Sequence, residues 1–202
     1  MKELLRNSIK FTTGIAVITL VLAAIFSIVS TSMLGGVSWG VGMFIVFVIV
    51  FIGIFFDMLG IAATAANEVP FHAMASERVN GSKEAISIVR NADRFASFCN
   101  DVIGDISGVV SGTASALVVL QLTVGFGYVE DSLFNYVVSV VFTSVVAATT
   151  VGGKAFGKTF AMQYSTDIIF QVGKIFYYLD DKLNIKVFKN QQKKKRKEQK
   201  RK

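Results

Sequence analysis

The 202-residue chain is 52% hydrophobic and only 17% charged, with 18 Phe and a single Pro. This excludes a loop-rich soluble domain and favours runs long enough to cross a bilayer. The net charge of +7 sits at one end: residues 186–202, KVFKNQQKKKRKEQKRK, hold ten Lys and Arg against one Glu, leaving about −2 for the rest. The basic signal therefore belongs to a tail and not to a nucleic-acid-binding face, and the lone Cys99 excludes an intrachain disulfide.

In chain order, the first apolar run covers residues 11–34. It is too long for a signal-peptide core and lacks a convincing small-x-small cleavage site, so it reads as a retained span. The second run, 41–66, is broken only by Asp57, which either is protonated or faces a polar cavity. Residues 72–98 read as a cytoplasmic helical hairpin or pair of short helices. Ala85, Ile86, Ile88 and Val89 form an apolar stripe, Lys83, Glu84 and Arg90 lie opposite, and Asn80-Gly81 breaks the pattern. His72 follows Pro70-Phe71 at a helix start, where it reads as an interfacial hydrogen bonder.

The third run, 102–126, opens on Asn100 and Asp101 and carries Asp105 about 6 Å deeper, at 1.5 Å per residue. Gly104, Gly108 and Gly112 repeat at small-xxx-small spacing, which predicts close helix packing. The fourth run, 136–151, is the shortest. Residues 160–185 then form an amphipathic helix. With Tyr177, Tyr178 and the basic end, it is expected along the cytoplasmic interface, and anionic lipid is the expected partner of the tail.

Basic residues alternate between connections. Lys2, Arg6 and Lys10 precede the first span, and Arg78, Lys83, Arg90 and Arg94 lie between the second and third. The 35–40 and 127–135 connections have no Lys or Arg. The positive-inside rule then gives four spans with both termini cytoplasmic, in a multi-pass plasma-membrane protein of all-α class. No alternating strand pattern suits a membrane barrel. No P-loop, paired-cysteine, zincin or Ser-His-Asp order occurs, so the chain reads as a non-enzyme.

An ionised Asp near the bilayer centre costs about 2.5–3.5 kcal/mol on the insertion scale, so the acids need company. Asn67, Glu68, Asn100, Asp101, Asp105 and Lys154 are expected at similar depth, at the cytoplasmic helix ends. Two readings stay open. Asp101, Asp105, Asn100 and Glu68 supply oxygen ligands to a hard cation such as Mg²⁺, or Lys154 neutralises an acid in a structural salt bridge.

Four stretches carry a family resemblance: NEVPFHAM (67–74), GSKEAISIVRNADRF (81–95), CNDVIGDISG (99–108) and GKAFGKT (153–159). Their order resembles the transmembrane domain of the cyclin-M (CNNM) and CorB/CorC magnesium-transport family over roughly residues 40–185. The resemblance implies a three-span core, Mg²⁺ transport and a homodimer. On it, residues 1–35 are a cytoplasmic segment with an extra span, 40–185 the transmembrane domain, and 186–202 a disordered polybasic tail without the family's CBS pair. Ala92 stands at the motif's Pro, Gly157 at a second Pro, and Lys154 at the family's ion-site Glu. The alternative function is a non-transporting membrane protein that keeps the fold and binds lipid or a partner.

Overall fold

A computed structural model describes residues 2–128 and 133–183, so the 186–202 tail lies outside the described residues. They form helices only: α1 (Lys2–Leu34), α2 (Trp39–Ala65), α3 (Val69–Ser76), α4 (Ser82–Arg90), α5 (Ala92–Ser97), a π-helical turn (Phe98–Gly104), α6 (Asp105–Gly125), α7 (Leu133–Gln163) and α8 (Ser165–Leu183). Four stretches are long and apolar enough to cross a membrane: Thr12–Leu34, Trp39–Ala65, Ala92–Gly125 and Leu133–Gln163. The chain has the architecture of a polytopic helical membrane protein. The fourth span is longer than its apolar run, because α7 continues through Gly152, Gly153 and Lys154 with its backbone bonded internally.

The second span is the central post, against which α6, α7, the π turn, α5 and α8 all pack. Val46, Val50 and Ile54 of α2 meet Ala114, Val118 and Val119 of α6 and Phe142 and Val146 of α7 in one buried cluster. Small residues let the backbones approach. A Cβ at Gly53 would lie 2.8 Å from the Ser107 Cβ, and one at Gly157 would lie 2.6 Å from the Met58 Cγ. These contacts recur at helical spacing along one seam of α2, from Gly42 through Val46, Val50 and Gly53 to Gly60.

The expected glycine stripe on α6 is only partly the packing seam. Gly104 is enclosed, but nothing lies within 4 Å of a Cβ at Gly108 or Gly112. The buried small residues are instead Ser107, Ser111, Ala114 and Ser115. Each serine hydroxyl donates to a carbonyl of its own helix: Ser107 to Ile103, Ser111 to Gly108 and Ser115 to Ser111. A hydroxyl satisfied in this way can be buried at little cost, so serines rather than Gly108 and Gly112 are the buried small residues, with Ser107 against Gly53 of α2.

The first helix is peripheral. Its Ile15, Leu22 and Ala23 pack beside Val102, Ile106 and Val110, while most of its apolar surface stays open. At its end the Gln121 amide of α6 donates to the Leu34 carbonyl at 2.6 Å, occupying a carbonyl that the helix itself leaves unpaired.

A second core holds the short helices. Phe71 of α3, Ala85 and Ile88 of α4, and Ile169 and Val172 of α8 bury against Ala62 and Ala63 at the end of α2. The amphipathic helix expected along the membrane surface turns Ile169 and Val172 of its apolar stripe onto α4 and α2, while Ile175 and Leu179 of the same stripe stay exposed. The expected hairpin is three short helices, and the Asn80-Gly81 break is the turn between α3 and α4.

Candidate ion centre at the α2–α6–α7 junction

Asp57 lies eight residues before the end of α2, about 12 Å along its axis at 1.5 Å per residue. Its side chain is only 16% exposed. It meets Lys154 of α7, whose Nζ lies 3.7 Å from Asp57 Oδ1 and 3.8 Å from Asp105 Oδ1. Lys154 is 29% exposed and Asp105 70%, so the centre is closed on the α2 side and open on the α6 side. Two carboxylates around one ammonium leave one net negative charge when all three are ionised.

The distances show how the ammonium is held. A direct N⁺–H···O⁻ hydrogen bond runs about 2.7–2.9 Å. Both separations exceed that by nearly 1 Å, so Lys154 bridges the acids by charge without closing on either.

The π turn shapes the adjoining wall. It ends where the Asp105 amide donates to the Asn100 carbonyl five residues back, the wide ladder that marks many functional helices. A Cβ at Gly104 would lie 3.7 Å from both Asp57 Oδ1 and Lys154 Nζ, so the glycine backbone lines the centre. One turn along α2, Gly60 faces the Asn100 side chain, and a Cβ there would fall 2.7 Å from the Asn100 Cγ. The Asn100 Oδ1 is buried without a hydrogen-bond partner, a costly state for an amide oxygen.

The other expected residues lie elsewhere. Asp101 is exposed in the π turn. Asn67 Oδ1 accepts the Val69 amide at 3.0 Å, which fixes the start of α3. Glu68 Oε1 accepts from Arg90 Nε at 2.5 Å and pairs with His72 Nε2 at 2.7 Å. If that His72 nitrogen donates to Glu68, it cannot also accept from Arg90 Nη2, 3.4 Å away, which leaves that last contact as mere proximity. The His72 bond, then the Arg90 bond and charge, hold the Glu68 carboxyl below its ordinary value against the opposing effect of desolvation.

Glu68 is therefore not beside Asp101 and Asp105. Among the described residues, no three His, Cys, Asp or Glu side chains gather closely enough to hold a metal ion. The expected quartet of Asp101, Asp105, Asn100 and Glu68 is not one ligand set, and what the fold brings together is Asp57, Asp105 and Lys154. The Glu68–His72 spacing of four residues was the available signal for the second cluster. Nothing local pointed to Arg90 as its third member.

No protein-family model, curated protein or solved structure matches this chain.

Proposed function

We propose that this chain moves a cation across the plasma membrane through the Asp57–Lys154–Asp105 centre. One observation carries the reading: two carboxylates on membrane-spanning helices share an ammonium that sits too far from either for a direct hydrogen bond. Ionisable groups in spans are expensive and mark ion pathways by default. The unpaired Asn100 oxygen and the π turn add an acceptor-rich wall. Lys154 acts as an internal counter-ion that the arriving cation displaces. Magnesium, the cargo implied by the family resemblance, would take one or two carboxylates and keep several waters, provided Lys154 withdraws. Both termini face the cytoplasm and the protein works as a homodimer, with the basic tail on anionic lipid.

The second reading is a non-transporting protein that keeps the fold. It is favoured by the same lysine, which neutralises one of the two acids and ties α2, α6 and α7 together.

Flux into liposomes separates the two. Wild type should carry Mg²⁺, or failing that a monovalent cation, and Asp57→Asn should abolish the movement. A Ser38→Cys variant labelled by an impermeant thiol reagent fixes the sidedness of the same vesicles. Equal flux in wild type, Asp57→Asn and empty vesicles would remove the transport reading.

A further inference from the structure

The turn between α3 and α4 borders an open cavity unconnected with the candidate ion centre. A cavity of about 320 Å³ lies between this turn, the start of α4 and the outer part of α8, lined among others by Arg78, Asn80, Lys83, Glu84 and Tyr177. We propose that this cavity binds a small phosphate-bearing anion.

The wall is rich in donors and positive. Arg78 offers a guanidinium, Lys83 an ammonium, Asn80 an amide and Tyr177 a phenolic hydroxyl, against the single carboxylate of Glu84. Among the described residues neither Arg78 nor Lys83 has an ion-pair partner. The other nearby cation is already engaged, since Lys174 Nζ lies 4.4 Å over the Phe170 ring. The nearest further acid along α8 is Asp180, one turn past Tyr177 and outside the lining. Arg78 and Lys83 both line the cavity and both are exposed, and a planar guanidinium together with a point-like ammonium suits a tetrahedral oxyanion. The volume is at the low end for ligand pockets, which suits a phosphomonoester or a lipid headgroup and not a large ligand.

The backbone of the turn is fixed against α8. Gly81 has φ +90°, and a Cβ there would fall 2.6 Å from the Lys174 amide nitrogen, so the turn is pressed backbone to backbone onto α8. Arg78 has φ +58° and is the one non-glycine residue with positive φ among those described. The turn is closed by the Arg78 amide on the Ala75 carbonyl at 3.2 Å and the Val79 amide on the Met74 carbonyl at 3.0 Å. That backbone favours Gly or Asn.

The test uses the full chain in nanodiscs, with Arg78→Gln and Lys83→Gln set against Arg94→Gln, which removes an exposed cation outside the cavity. One arm titrates inorganic phosphate into zwitterionic nanodiscs by calorimetry. The other compares acylation of Lys83 with and without phosphatidylglycerol, in wild type and Arg78→Gln. Phosphate affinity should fall about tenfold in each cavity variant and not in Arg94→Gln. Protection of Lys83 by phosphatidylglycerol without phosphate binding, lost in Arg78→Gln, would identify the source as a headgroup. Should Arg78→Gln misfold, Lys83→Gln on its exposed helix turn still decides the phosphate arm. Equal binding by all variants assigns the anion to the basic tail and overturns the proposal, as does the absence of any effect in both arms.

Discussion

At Glu68 a carboxylate lies 2.5 Å from Arg90 and 2.7 Å from His72, whereas at Asp57 the nearest cation stays 3.7 Å away. Contact distance alone would rank the first cluster as the stronger. Solvation reverses the order. The Arg90 and His72 side chains are 58% and 52% exposed, so water and salt compete for each charge and the tight geometry contributes little. Asp57 is 16% exposed on a helix apolar enough to span a membrane, where nothing else replaces a lost partner. By this argument the looser cluster is expected to matter more to the fold.

The largest effect should follow Lys154→Met. It leaves Asp57 and Asp105 without a cation and should destabilise the protein by about 3 kcal/mol, as breaking a largely buried pair does. Adding Asp57→Asn should recover most of the loss, because the stranded charge is then gone. Thermal unfolding in detergent reads both variants. A Lys154→Met protein that melts with wild type would mean that the acids never relied on it, and the ranking of the two clusters would fail.

A smaller effect is expected at the wall of the centre. Gly60→Ala drives a methyl group into the Asn100 amide and should cost about 1–3 kcal/mol through overpacking. Asn100→Ala in the same background makes room and should restore stability. If the double variant is no better than Gly60→Ala alone, the collision lies elsewhere and Asn100 does not face α2.

The smallest effect belongs to the exposed cluster. Arg90→Gln should shift the melt less than either substitution above, and the shift should fade as salt rises. Its signature is in the pH dependence. His72 and Arg90 hold the folded Glu68 carboxyl below its ordinary 4.5. Its contribution is therefore complete above 4.5 and is lost as pH falls through the lower folded value. Arg90→Gln should flatten that acid limb. A limb of unchanged slope would show that Arg90 does not contribute to holding the charged form.

Much of the architecture follows from sequence alone because it depends on counts along one chain. Three apolar runs of 20 or more residues without strand alternation read as membrane-crossing helices, and Asn80-Gly81 marks a break by its residue types alone. The amphipathic pattern of α8 likewise marks an apolar stripe, though periodicity does not say what covers it; here protein covers Ile169 and Val172 and leaves Ile175 and Leu179 exposed. The composition of the candidate centre depends on the tertiary structure. Asp57 and Lys154 are 97 positions apart, and they meet only because Gly53, Gly60, Gly153 and Gly157 let α2, the π turn and α7 approach at one rotation. The depth of each acid is legible from its position in a helix. The direction in which it points is set by how that helix is rotated against its neighbours. Here that rotation groups Asp105 with Asp57 and leaves Asp101 exposed and Glu68 with His72 and Arg90.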